Sequence, residues 1–295
     1  MKNIRNMELL NQLYKISSPS GQEGLMMNFI RERLDKLGVV HFTDRAGNIY
    51  ATKGEAKTYP CIVSHTDEVH NFRQNNYKVI KSDEIIFGFD YQNRRHCGTG
   101  ADDKNGIWIC LKSLEEFDAM KCVFFVGEEI GCQGSSQAQM KFFNNCRYVL
   151  QCDRKGNSDI VTEYFGEALC SEEFLHDAEP EKFGYEKSDG MITDVIMLKN
   201  RGLKVSGVNL SCGYYLPHTP NEFTCVEDLM KCYHFVQHII RNCNKTYTHK
   251  ILSRFIPSKE EHWREGKKPE FQHQQWWKNY ADYPYDRGFY NNFEY

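Results

Sequence analysis

Cys122-Val123-Phe124-Phe125-Val126 is an apolar run that passes without a break into Gly127-Glu128-Glu129. Five residues suit a strand better than a helix, and an apolar run without polar alternation belongs to a strand covered on both faces. The pattern recurs twice. Cys61-Ile62-Val63-Ser64 leads into His65-Thr66-Asp67, and Tyr148–Cys152 leads into Asp153. Between and after these runs the apolar spacing becomes helical, at about Asn105–Phe117, at about Met191–Asn200 and from Val226 to Ile240. Buried strands alternating with helices predict an α/β fold: a three-layer, phosphorylase/hydrolase-like sandwich with a mixed, largely parallel central sheet covered by helices on both faces.

The flanks agree with that reading. Leu9, Leu10 and Leu13 share one face of a short helix, and Ser17-Ser18-Pro19-Ser20-Gly21 interrupts it. A second helix carries Met26, Ile30, Leu34 and Leu37, with Gly38 as its stop. Val39–Thr43 and Ile49–Thr52 read as strands joined across the turn composition Asp44–Asn48. From about Asn244 the aliphatics thin out, and the last fifty residues hold three of the four Trp together with many Tyr and Phe. Aromatic-rich but aliphatic-poor sequence does not readily build its own core, so residues 1–243 are read as the folded domain and 244–295 as an aromatic extension, disordered or packed on the surface.

Composition excludes several function classes. The 295 residues carry 37 Lys+Arg against 40 Asp+Glu, a net charge of −3, without the basic excess of a nucleic-acid binder. The longest apolar runs fall far short of the roughly 18 residues that span a bilayer. The opening MKNIRNMELLNQ has no long apolar core of a secretory signal. None of the 12 cysteines forms a C-x-x-C pair, and several sit inside apolar runs, where a free thiol behaves as a small hydrophobe. A cytoplasmic protein with reduced thiols is the expectation.

The chemistry sits just beyond the buried runs. In open α/β sheets, functional groups collect past the carboxyl ends of the strands, the rim that the covering helices leave accessible. His65, Asp67, Glu128, Glu129 and Asp153 all fall there. Two loops add to them, Gly98–Asp103 opening a helix and Leu216–Pro220 preceding another. Two imidazoles with several carboxylates and no thiolate suit two divalent ions, zinc first, with cobalt or manganese as alternatives. Asp102, Glu129 and Asp153 offset three of the four charges on such a pair, and a hydroxide the fourth. A pair of this kind lowers the pKa of water from 15.7 to about 7, giving a nucleophile at neutral pH. Neighbouring side chains on extended backbone point in opposite directions, so one of Glu128 and Glu129 can ligate while the other takes the proton.

The motifs SHTDEVH (Ser64–His70), GTGADDKNG (Gly98–Gly106), GEEIGCQGS (Gly127–Ser135), CDRKG (Cys152–Gly156) and PHTPNE (Pro217–Glu222), preceded by SPSGQE (Ser18–Glu23) and DRAGNIYATKG (Asp44–Gly54), occur in one order. Together they resemble the zinc-dependent exopeptidases with co-catalytic metals, in particular the branch of peptidase T, dipeptidases, aminoacylase and glutamate carboxypeptidases. The likeness runs from about Leu9 to Ile240. It implies that His65 and Asp153 complete one metal, that Glu129 and His218 complete the other, and that Asp102 bridges both. It makes Asp67 the residue that orients His65 through its second ring nitrogen, and Glu128 the general base. Asp rather than Glu at position 153 resembles the aminopeptidase and tripeptidase members. The function implied is hydrolysis of amide bonds in short peptides, with an N-acyl amino acid deacylase or carboxypeptidase as the alternative. A non-catalytic scaffold of the same fold is the reading outside enzymes.

One departure from the relatives is plain. Asp153 and His218 are only 65 positions apart, too few for the lid or dimerisation domain inserted there in peptidase T and its kin. Oxyanion stabilisation then falls to a residue outside the lid, for which Tyr214 or Tyr215 stands ready. The loss of that domain also removes the relatives' usual dimer surface and leaves the oligomeric state open. Asp103 competes with Asp102 as the bridging group, and helix capping is its plainer role. His234 and His238 lie four apart, but Phe235 rather than Glu follows His234, so no H-E-x-x-H motif exists. Neither a dinucleotide fingerprint nor a G-x-S-x-G elbow occurs.

Overall fold

A sheet of nine strands carries the molecule. The computed structural model describes residues 2–251 except 72, 74, 75 and 83, with side chains from Met7 onward. In chain order its first elements are α1 (Lys2–Lys15), α2 (Gly24–Lys36), β1 (Val40–Thr43), β2 (Ile49–Lys53), β3 (Tyr59–His65), β4 (Tyr77–Lys81), β5 (Ile85–Asp90), β6 (Arg95–Cys97) and α3 (Ala101–Glu116). There follow β7 (Met120–Phe125), α4 (Gln133–Ser136), β8 (Cys146–Arg154), β9 (Asp159–Tyr164), β10 (Glu167–Ala168), α5 (Glu172–Ala178), β11 (Glu186–Asp189) and α6 (Asp194–Asn200). The chain closes with β12 (Gly207–Ser211), β13 (Tyr214–Tyr215), β14 (Phe223–Cys225) and α7 (Val226–Asn242).

The large sheet runs β1-β2-β7-β3-β8-β12-β9-β10, with β11 beside β9. Its centre, β7-β3-β8-β12, is parallel, and the pairs on either flank, β2 with β7 and β9 with β12, are antiparallel. This is the mixed, largely parallel sheet that the apolar runs predict. Every residue of β3 and β7 is buried, which explains their unbroken apolar reading.

Helices cover both faces. Helix α3 packs on β3, β7 and β8, with α1 and α7 beside it, while α4 and α6 lie against each other and α6 meets β3, β8 and β12 on the other side. Ile107, Trp108, Ile109, Cys110, Leu111 and Leu114 are all buried and give α3 an apolar surface nearly all round, as befits a helix enclosed by a sheet and two further helices. Trp108 meets Tyr233 of α7 edge-on at 5.2 Å. The Tyr14 hydroxyl of α1 donates to Asn105 Oδ1 at 2.5 Å and lies 2.6 Å from Thr224 Oγ1. Three elements distant in sequence are thereby joined beneath the rim.

A second sheet, β13-β14-β5-β4 with β6 beside β5, has no counterpart in the sequence reading. It joins the segment before Asp102 to the hairpin that carries His218. Between Asp153 and His218 the chain forms β9 to β12 with α5 and α6, whose strands enter the large sheet, and then β13, which belongs to the small one. No separate lid is inserted there among the described residues. Tyr247 is 1% exposed and its backbone bonds Arg147 and Ser206, so packing continues past position 243. The aromatic extension from 252 onward lies outside the described residues. Among them no helix is long and apolar enough to cross a membrane.

Leu150 lies at the centre of β8 with no exposed surface. Leu150→Ala is expected to lower unfolding stability by about 2–5 kcal/mol, while Val40→Ala on the 76% exposed edge position changes it by no more than about 0.5 kcal/mol. Urea unfolding of the two variants checks the pair.

Candidate metal centre

The parallel strands deliver their carboxyl ends to one rim. His65 is the last residue of β3, Asp153 the penultimate residue of β8, and Glu128 and Glu129 follow β7 after a Gly127 with φ of 62°. Asp102 and Asp103 occupy the first turn of α3 with non-helical backbone angles, so the two carboxylates leave the chain in different directions. His218 sits in the loop between β13 and β14.

Asp102 is the meeting point. Its Oδ1 lies 3.1 Å from His65 Nε2, and its Oδ2 lies 3.2 Å from His218 Nε2. Glu129 Oε2 stands 3.1 Å from the same His218 nitrogen, and Asp153 Oδ1 3.6 Å from His65 Nε2. His65, Asp102 and Glu129 form one set of ligand atoms within 4.8 Å of one another; His65, Asp103 and Asp153 form a second. Asp103, however, is already engaged. Its Oδ1 accepts from Gly106 N at 3.0 Å, the capping bond, and its Oδ2 accepts from His65 N at 3.1 Å. A Cβ on Gly106 would come within 2.3 Å of that Oδ1, so only glycine fits beside the cap.

Electrostatics follow from crowding carboxylates in a site with little water. Burial and the charge of Asp102 raise the Asp153 carboxyl to about 8. Burial, with Asp153 and Asp194 nearby, lifts Glu128 well above the usual carboxylate range. Burial alone would depress the imidazoles, but Asp153, Asp102 and Asp67 hold His65 well above its ordinary value. Against the same penalty, Asp102 and Glu129 raise His218 to about 12. Burial also works against the Asp102 anion, and the bonds from His218 and His65 outweigh it and keep the carboxylate ionised. Among these acids the two imidazoles are the neighbours drawn toward positive charge, at the place that a cation would take. The donors are carboxylate oxygens and imidazole nitrogens with no thiolate among them, so the set fits zinc or a related first-row divalent ion.

Around these donors lies a supporting layer that the sequence reading found in part. Asp67 does flank the second nitrogen of His65, with its carbonyl oxygen at 3.1 Å and its Oδ1 at 3.3 Å from Nδ1. It also does more than expected. Oδ1 accepts from Glu128 N at 3.0 Å, and Oδ2 accepts from Glu129 N at 3.2 Å and from Ser20 Oγ at 2.7 Å. One buried carboxylate thus fixes the loop after β3, the loop after β7 and the Ser18–Glu23 turn together. Burial opposes its ionisation, and bonds from His65, Ser20 and Glu128 N nonetheless hold its pKa below the usual value.

Gln151 and Asn209 were missed. Gln151 Nε2 donates to Asp153 Oδ2 at 3.0 Å while its Oε1 accepts from Val195 N, and Asn209 Oδ1 accepts from Asp153 N at 2.9 Å. A polar Gln inside the apolar run Tyr148–Cys152 was the available signal. The two tyrosines part company: Tyr214 donates its hydroxyl to Asp153 Oδ1 at 3.2 Å, whereas Tyr215 donates to Asp228 at 2.6 Å. A cleft of about 430 Å³ opens at the same rim against Gly127, with Met27, Val126 and Ile130 as its apolar wall and Glu23 and Arg31 as its polar one.

Because Asp67 contacts both the His65 ring and the Glu128-Glu129 backbone, Asp67→Ala is expected to weaken the binding of a divalent metal at this candidate site by roughly 10–100-fold. Titration against a competing chelator measures this. Unchanged affinity would show that Asp67 does not support the site.

No family model matches the chain, and no curated protein matches it by sequence. Solved structures do. Aminopeptidase PepT from Bacillus cereus superposes with a TM-score of 0.69 at 17% identity, over 82% of this chain and 99% of that one. A tripeptidase from Staphylococcus aureus gives 0.67 at 15% identity, over 82% and 98%. An aminopeptidase from the archaeon Desulfurococcus kamchatkensis gives 0.61 at 15%, over 84% and 96%. The α/β sandwich that brings His65, Asp102, Glu129, Asp153 and His218 to one rim is the fold of these aminopeptidases.

Proposed function

We propose that the protein is a metal-dependent exopeptidase that removes N-terminal residues from short peptides, as aminopeptidases and tripeptidases do. The observation that carries this reading is the Asp102 carboxylate, standing between His65 and His218 at 3.1 and 3.2 Å with Glu129 and Asp153 alongside. Acids buried at this density are balanced by bound protons, by cationic neighbours or by a metal ion, and the donor set here fits a metal ion.

In this reading His65 and Asp153 would hold one ion, Glu129 and His218 would hold the other, and Asp102 would contribute to both. Zinc suits the donors best, with cobalt or manganese as alternatives. When bound, two such ions would supply Lewis acidity and a water of pKa about 7. The chain supplies the rest. Glu128 takes the proton of the attacking water and passes it to the leaving amine. Cys132 Sγ, 3.4 Å from Glu128 Oε1, donates to that carboxylate and limits its rotation. Tyr214 is the residue proposed for the developing oxyanion, since its hydroxyl stands at Asp153 inside the donor cluster, whereas that of Tyr215 is turned away to Asp228. A short peptide is the proposed partner, with neither nucleic acid nor membrane involved. A reducing, cytoplasmic setting is supported by 12 free cysteines.

Metal analysis with a panel of free-amine and N-blocked di- and tripeptides tests the whole. Two equivalents per chain and cleavage of the free-amine series are expected. Preference for N-acyl substrates would move the assignment to a deacylase, and a chain with neither metal nor turnover would be a scaffold. Glu128→Gln is expected to keep both metals and lose turnover by about 10²–10⁴-fold; normal turnover would remove Glu128 from the mechanism. Tyr214→Phe is expected to lower kcat by about 10²–10³-fold with metal content retained, and Tyr215→Phe to leave kcat unchanged. Equal turnover of the two variants would end the oxyanion assignment.

A further inference from the structure

The segment Pro217-His218-Thr219-Pro220-Asn221-Glu222 ends in an acid that has no task in the site described so far. Glu222 is 1% exposed, and its carboxylate is surrounded by donors. Oε2 accepts from Gly100 N at 2.6 Å and from Thr99 Oγ1 at 3.2 Å, and it faces His70 Nε2 at 3.1 Å. Oε1 accepts from Asp102 N at 3.2 Å. Three of these four partners belong to the loop that carries Asp102. Hydrogen bonds to an ionised acceptor are about twice as strong as neutral ones, so the carboxylate clasps that loop firmly.

The clasp is short at both ends. Glu222 lies four residues after His218, in a turn closed by Glu222 N to Thr219 O at 3.2 Å and Thr219 Oγ1 to Leu216 O at 2.8 Å. On the other side it grips the amide of Asp102 itself. Gly100 takes φ of 65°, and a Cβ there would stand 2.1 Å from Glu68 Oε2, so the gripped loop has no slack of its own. The 3.2 Å separation between His218 Nε2 and Asp102 Oδ2 therefore spans two loops that Glu222 ties together from behind.

We propose that Glu222 is a positioning residue, which sets the His218 loop against the Asp102 loop so that both side chains reach one ion together. The proposal rests on the two-ion reading above. Its consequence is one-sided. His65 and Asp153 are held by β3 and β8 of the central sheet, whereas His218 belongs to the small-sheet hairpin that Glu222 anchors. Loss of the clasp weakens chiefly the ion shared by Asp102, Glu129 and His218. Glutamine cannot replace Glu222, because its amide would turn a donor toward backbone N–H groups that need an acceptor.

The test is titration of the metal-free full chain with zinc alone against a competing chelator, together with its thermal midpoint. The wild type is expected to bind two equivalents. Glu222→Gln should weaken one equivalent by roughly 10–100-fold and spare the other. Thr99→Val, which removes one of the four donors, should weaken the same equivalent by less. Wild-type affinity for both equivalents in Glu222→Gln overturns the proposal, as does equal weakening of both with a fall in the metal-free midpoint, the mark of a merely structural residue. Should Glu222→Gln not fold, Thr99→Val decides by the same criterion of a one-sided or two-sided loss. A wild type that binds no zinc removes the two-ion reading and this proposal together, whereas two tight equivalents unaffected by either variant remove this proposal alone.

Discussion

A carboxylate held between two imidazoles, with further acids at hydrogen-bonding distance, is the constraint around which the rest of the molecule is arranged. Asp102 shares its oxygens between His65 and His218, and the crowding behind it is enough to lift Asp153 to about 8. Like charges repel and buried charges lose hydration, so such a cluster persists only where surrounding structure fixes every member. The surroundings do so with polar groups that aim each carboxylate. Asp103 caps α3 and binds the His65 amide, Asp67 spans the two loops that flank it, and Gln151 and Asn209 hold Asp153 from within the sheet.

The fold makes this fixation inexpensive. Parallel strands start together and end together, so β3, β7 and β8 present their last residues at one height without long loops. Helices cover both faces and leave the carboxyl-end rim accessible. The small sheet solves the remaining problem, since His218 lies far along the chain from Asp102 and on no strand of the large sheet. Pairing β14 with β5 brings the two regions into register, and Glu222 completes the join.

Much of the site was legible because its acids and first imidazole directly follow apolar runs. His65, Glu128, Glu129 and Asp153 each stand at or just beyond a strand whose unbroken hydrophobicity marks it as central, and that mark is local. The hairpin of β13 and β14 was not legible. Tyr214-Tyr215 and Phe223–Cys225 are too short to show a period, and the polar residues Asn209 and Ser211 hide β12 just before them. The choice between the tyrosines was closed to sequence for a related reason. Neighbouring residues of a strand face opposite sides, and hydropathy does not tell which side holds Asp153.

Residue order alone determined the alternation of buried strands and helices, the acids and imidazole at the strand ends, and the absence of room for an inserted domain between Asp153 and His218. These are properties of windows a few residues wide, where side-chain hydrophobicity dictates burial. Tertiary structure alone decided which oxygen of Asp102 meets which imidazole, that Asp67 grips the Glu128 and Glu129 amides, that Tyr214 rather than Tyr215 turns to Asp153, and that Glu222 closes on Asp102. Each of those contacts joins residues dozens of positions apart. Their distances depend on strand register and loop closure, and no local pattern of the chain encodes either.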